Sequence, residues 1–417
     1  MLVALVLPLL GSTLSAPVSP HAGPITLALR HVPEQTGIER RVRRWEGEGK
    51  GVPLHPLELM FDTGSPALWV MDSCTAPQCR MSALFDALSS TTLTRTDDSW
   101  GMLYGAANIS GGVASDMIGI GGARARTAMG LVTNPPNWGH TASGLIGFGP
   151  ATPHATPPWW AGVLASWPEK RFGLLVGQTA DWLSPLPLNT TVRHAGRVTL
   201  GGVDASLFKP PLYSTPANLS HWWAVGLEGV RVNGAPIDIR GLESTRYGQV
   251  DGLPSAMLDT GLSGIIGPPA AVERVYASIP GAFSPDGVTY FVPREFGHSE
   301  SREKGGLEFC LASQCWPATL LDLSDCRERD EAKDWFPAQV AAAPSVQAWC
   351  TGILFASEEA GTQVTQWILG NAFLQHNYVV HQFDPPEVQV GLLSDRALVL
   401  VREANIALNR LLGSRVG

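Results

Sequence analysis

Two short segments of this chain could do acid–base chemistry together. Met60-Phe61-Asp62-Thr63-Gly64-Ser65 and Met257-Leu258-Asp259-Thr260-Gly261-Leu262 each set a carboxyl on a glycine turn directly after an apolar run, at an offset of 197 residues. A turn of this kind holds the carboxyl at a strand end by backbone geometry, with the glycine letting other backbone pass close by. Two carboxyls within hydrogen-bond reach cannot both ionise, so one keeps a proton while the other stays charged. The charged one can take a proton from a bound water while the protonated one donates to a carbonyl oxygen. Water then adds to the carbonyl with no covalent adduct, no metal and no cofactor.

Positioning two such turns takes two similar frameworks, and the sequence repeats itself accordingly. Each turn is followed later by an apolar strand ending in glycine, Gly144-Leu145-Ile146-Gly147 for the first and Ile368-Leu369-Gly370 for the second. From Leu57 onward, short β-branched or apolar runs alternate with Gly, Pro, Asn and Asp, which predicts an all-β architecture. Trp223 to Val232 followed by Asn233-Gly234 is a hairpin signal, because Asn-Gly suits the positive φ of a type I′ turn. Helices are expected to be few and short, Ala270 to Ile279 being the best candidate. A pseudo-dyad relating the halves would bring the two turns to the floor of a cleft.

These residues resemble the pepsin-like aspartic proteases, in particular secreted fungal members, over nearly the whole chain from about Gly51 to Leu393. Phe61-Asp62-Thr63-Gly64-Ser65 with Leu68-Trp69-Val70 is similar to the first catalytic loop, and Met257-Leu258-Asp259-Thr260-Gly261 to the second. Tyr104-Gly105 is similar to the flap, a hairpin whose Tyr closes over bound peptide and excludes water. Phe172 to Leu175, Gly196 to Asp204 and Trp367 to Phe373 fall in the family's order.

The resemblance implies a bilobal pepsin-like fold with Asp62 and Asp259 as the catalytic pair. It implies Thr63 and Thr260, beside Ser65, locking the loops, and Trp69 packing in the core while reaching the flap Tyr. It also implies protein or peptide substrates, pepstatin-type inhibitors and a monomer. For a paired carboxylate of this family, the shared proton is the behaviour already known.

The match departs from the family in four places. Leu262 stands where the family has Ser or Thr, so a donor to the outer oxygen of Asp259 is missing, which predicts a less acidic optimum. Ala106-Ala107-Asn108-Ile109-Ser110-Gly111 replaces the Gly-rich flap tip. Few residues separate Arg44 from Asp62, and Arg294 to Gly306 reads as an inserted polar loop carried with the extra pair Cys310 and Cys315.

Length and composition bound the rest. A chain of 417 residues with 44% hydrophobic and 16% charged residues, 33 Pro and 45 Gly is long enough for two turn-rich cores. The net charge of −8 gives no footprint for nucleic acid or anionic membrane. The expected divisions are a signal peptide over 1–16, a pro-segment over 17–44 with dibasic sites at Arg40-Arg41 and Arg43-Arg44, an N-terminal lobe over 45–205, a C-terminal lobe over 206–395 and a tail over 396–417. The mature chain is expected to be secreted, with no membrane anchor.

Six cysteines suit disulfides of an oxidising compartment. Cys74 and Cys79 are close enough for a loop staple. Cys310, Cys315, Cys326 and Cys350 allow three pairings, with Cys310 to Cys315 and Cys326 to Cys350 as the working choice. No paired C-x2-C knuckles support zinc. Asn108, Asn189 and Asn218 are glycan acceptors in a secreted chain. Two rivals remain: a silent family relative acting as a binding or inhibitor protein, and a glycosidase, whose acid and base would stand about 5 to 10 Å apart. Pepstatin binding separates them from a protease.

Overall fold

A computed structural model describes residues 2–9, 25–32, 55–73, 84–88, 90–104, 107–120, 123–133, 143–150, 158–177, 196–219, 222–239, 249–296, 306–356 and 366–401. Gly105, Cys74, Cys79 and Asn189 lie outside them. The architecture is mostly β, as the alternating pattern requires, with a few short helices, and it forms two compact units. One is Met1–Leu174 with Pro185–Asp204; the other is Leu175–Ser184 with Ala205–Gly417.

In the first unit the strand His55–Asp62 runs parallel to Gly144–Gly147, with Asp62 opposite Gly147. Gly144–Gly147 is antiparallel to Leu68–Ser73, which is parallel to Ala123–Thr133. The hairpin of Thr94–Tyr104 and Ala107–Ile120 continues the sheet through Ala123–Thr133. Met60, Trp69, Met71, Ile109, Val132 and Leu145 form a buried core, on which Trp100, Met102 and Tyr104 pack from the hairpin. Phe148 closes the other side, its ring 4.4 Å from Phe61 and 5.1 Å from Phe172.

The second unit repeats this four-strand pattern. Leu253–Leu258 is parallel to Trp367–Leu369, Trp367–Leu369 is antiparallel to Ile265–Gly267, and Ile265–Gly267 is parallel to Leu354–Ala356. The internal repeat is therefore a repeat of strand pairing as well as of motif. The expected helix runs over Pro269–Ala277, opened by a proline, which suits a first turn whose N–H groups have no helical partner. The expected hairpin joins Gly229–Val232 to Ala235–Ile237, with Asn233 at φ 52° and Gly234 at φ 77°. Disulfides join Cys310 to Cys315 and Cys326 to Cys350.

His381 on the strand Asn377–Phe383 is fully buried, edge-on to Trp223 at 5.0 Å. Burial pushes its imidazole down to about 3, so the fold holds it neutral.

The N-terminal end adds two strands, of which the run from Ile25 to Leu29 alone reads as strand-like in the sequence. Leu2–Leu9, expected as part of a leader, is a strand paired antiparallel with His55–Asp62 and with Ile25–Val32. Ile25–Val32, expected within a pro-segment, pairs with Gly196–Leu200. An eight-residue apolar run meets the needs of a leader and of a strand equally well, because both tolerate apolar side chains. In the intact chain these residues are strand.

Candidate active site

Each Asp-Thr-Gly turn is built by the strand that enters it and the strand that runs alongside. In the first, the amide of Gly64 donates to Asp62 Oδ1 at 2.7 Å, and the Asp62 carbonyl accepts from Phe148 N at 2.6 Å. Gly147 N donates to Ala67 O at 2.7 Å and Gly149 N to Ser65 O at 2.8 Å, stitching the turn to the strand Gly144–Gly147. This closeness needs a glycine, since a Cβ on Gly147 would meet Ser65 O at 2.1 Å. Asp62 is 5% exposed, and Thr63 and Ser65 are buried.

The second turn has the same backbone. Gly261 N donates to Asp259 Oδ1 at 2.7 Å, Gly370 N to Gly264 O at 3.1 Å, and Asn371 N to Leu262 O at 2.8 Å. A Cβ on Gly370 would meet Gly264 O at 2.3 Å and Leu262 O at 2.4 Å. Thr260 is buried, whereas Asp259 is half-exposed. The spacing of glycine and carboxyl thus produces one local structure twice.

Side chains distinguish the two. At the first turn Ser65 Oγ accepts from Ala67 N at 3.2 Å and is bonded to the Tyr104 hydroxyl at 3.1 Å. The Tyr104 phenol is held well above its ordinary range. Burial is the largest cause, the Ser65 bond opposes it, the Asp62 charge adds to it, and a bond from Trp69 opposes it. Tyr104 ends its strand opposite Ala107, so the hairpin tip is tied to the turn that carries Asp62. The hairpin base is fixed by the buried carboxylate of Asp116, which accepts from Ser90 Oγ at 2.8 Å, Met117 N at 2.7 Å and Thr92 Oγ1.

At the second turn Leu262 offers no hydroxyl. The buried side chain of Asn371 donates instead, from Nδ2 to Thr260 O at 3.3 Å. Sequence reasoning passed over Asn371, although a polar residue directly after Ile368-Leu369-Gly370 was the available signal.

The sequence-derived residues Asp62, Thr63, Gly64, Ser65, Trp69 and Tyr104 come together in the first unit, with Gly105 outside the described residues. Asp259, Thr260 and Gly261 come together in the second. Each turn presents a carboxyl with its Oδ1 held by a backbone amide. Among the glycan acceptors, Asn108 is exposed and Asn218 half-buried.

A family model described as eukaryotic aspartyl protease matches residues 50–393. The chain is similar to a protein named probable aspartic-type endopeptidase CTSD of Arthroderma otae, 24% identical over 79% of this chain and 76% of that one. It is similar to the protein of the same name from Arthroderma benhamiae, 23% identical over 79% of this chain and 57% of that one. The chain thus spans little more than half the length of that relative. It is also similar to pepsin-2B of Gadus morhua, 24% identical over 79% of this chain and 90% of that one.

Proposed function

Because the chain belongs to the eukaryotic aspartyl protease family, we propose that it is an aspartic endopeptidase in which Asp62 and Asp259 share a proton and activate one water. The ionised carboxylate takes a proton from that water as it attacks the scissile carbonyl, and the protonated one donates to the carbonyl oxygen. The tetrahedral intermediate collapses when the leaving nitrogen is protonated. Tyr104 closes the hairpin over the peptide and excludes water. Thr63 and Thr260 hold the loops, and Trp69 supports Tyr104. One observation carries the reading: both carboxyls receive the same amide bond, at 2.7 Å, from the glycine two residues on. A single carboxyl kept for turn capping would not need a twin in a repeated four-strand frame.

Substrates are proteins or peptides with large apolar residues flanking the cut, taken by a monomeric enzyme at acidic pH. The chain is secreted, with residues 1–16 as leader, 17–44 as pro-segment, 45–205 and 206–395 as the two lobes and 396–417 as tail. The disulfides support an oxidising compartment. No described helix is long and apolar enough to cross a membrane.

A second reading is a silent relative that binds proteins without cutting them. Leu262, standing where the first turn has Ser65, and the altered flap tip favour it. The deciding experiment is cleavage of a denatured protein between pH 3 and 6, with and without pepstatin, by the secreted chain and by Asp62→Asn and Asp259→Asn. Each variant should lose about a thousandfold in kcat/KM or more while keeping its melting temperature. A folded, processed wild type that cuts nothing would move the reading to the silent protein.

A further inference from the structure

The hairpin Thr94–Tyr104 and Ala107–Ile120 has two faces with different contents. Its register sets Met102 opposite Ile109, Leu103 opposite Asn108 and Gly101 opposite Ser110. Ile109 is fully buried, and Met102 and Tyr104 pack on the core beside it. Because side chains alternate along a strand, Asn108 and Ser110 share the outward face, and both are exposed. Leu103, beside Asn108 on that face, is 68% exposed. The residue facing Ser110 is a glycine with no side chain to crowd the hydroxyl.

Asn108-Ile109-Ser110 is an acceptor triplet, and its Asn and its Ser are both exposed while Ile109 between them points into the core. Asn218 is half-buried, and the Ser220 of its triplet lies outside the described residues, as does Asn189.

We propose that Asn108 carries an N-linked oligosaccharide on the outward face of this hairpin, and that the sugar covers Leu103. The inference rests on the secretory routing proposed above. In the transfer, Asn108 Nδ2 forms a C–N bond to the anomeric carbon of a lipid-linked oligosaccharide pyrophosphate. The anomeric C–O bond breaks, the lipid pyrophosphate leaves, and the amide gives up one proton. The sugar is rooted on the face opposite Tyr104, so the bond between Tyr104 and Ser65 is left untouched. A hydrated oligosaccharide there shields an apolar side chain at the exposed end of the hairpin.

The test uses the full chain secreted from a eukaryotic host. After peptide-N-glycosidase F in heavy-oxygen water, the peptide spanning Asn108 should appear with Asp at 108 carrying one heavy oxygen, and it should be missing in unmodified form beforehand. Asn108→Gln and Ser110→Ala should each lose one glycan's gel shift, while Ser110→Thr keeps it. Enzymatic removal of the sugar should raise binding of an apolar fluorescent dye in the wild type but not in Leu103→Ser. An unmodified Asn108 in the secreted chain overturns the site, and unchanged dye binding overturns the covering of Leu103. Retention of the chain in the cytosol overturns the routing and this inference with it. Occupied Asn108 on a chain that cuts nothing would reject only the protease reading.

Discussion

The two Asp-Thr-Gly turns are the same backbone braced by different side chains. The first is buttressed by Ser65, Tyr104 and the ring of Phe148, with Asp62 almost wholly covered. The second has Leu262 and the amide of Asn371, with Asp259 half-open. Strand pairing and glycine therefore specify where each carboxyl sits, and the side chains around it are free to diverge. The first turn is tied to the hairpin through Tyr104, and the second is tied to Asn371 at the end of its parallel strand.

The comparison can be broken first at its shared part. Gly147→Ala and Gly370→Ala both drive a Cβ into backbone oxygen, at 2.1 Å and 2.3 Å. Each should cost about 3 kcal/mol in denaturant unfolding. If one is tolerated, the two turns are not packed alike. The units also differ in how they meet acid. His381, in the second, is held at about 3 by burial, below its ordinary value of about 6.5. The unfolded chain then binds a proton that the folded one refuses, so stability falls as pH drops from about 6.5 toward 3. Between pH 7 and pH 4 the wild type should lose about 3 kcal/mol that His381→Phe keeps; equal losses in thermal melts would contradict this.

Smaller effects separate the braces. Tyr104→Phe removes the bond to Ser65 and Asn371→Ala the bond to Thr260, each costing about 1 kcal/mol. Only the first should also raise KM for a long peptide, because Tyr104 ties the first turn to the hairpin. Smallest of all, Leu262→Ser restores a hydroxyl to the second turn and should move the rate optimum toward acid by about half a pH unit. A shift toward neutral pH would rule out the missing donor as the cause of a less acidic optimum.

Much of this was legible in the chain. Two carboxyls on glycine turns, the apolar strands ending at Gly147 and Gly370, the turn at Asn233-Gly234 and the helix expected from Ala270 are local signals, and local signals survive in sequence. The role of Asn371 was only faintly legible. A single Asn after a glycine has the composition of a helix start, and its bond to Thr260 spans 111 residues. Ser65 was placed as a loop residue, but its bond to Tyr104 needs the hairpin's register, which tertiary packing sets. The strand over Leu2–Leu9 was hidden because aliphatic residues serve a leader and a sheet alike.

That strand, with Ile25–Val32, has a consequence for how the protein ages. While the chain is whole, Ile25–Val32 meets Gly196–Leu200 as part of one molecule, at an effective concentration that covalent linkage raises to the order of millimolar. A cut at Arg43-Arg44 would put both strands on a separate peptide, held by the pairing of Leu2–Leu9 with His55–Asp62 and of Ile25–Val32 with Gly196–Leu200 and subject to dilution. From then on, whether the strand that carries Asp62 keeps its neighbours depends on how much protein surrounds it, and a dilute sample would lose what a concentrated one retains.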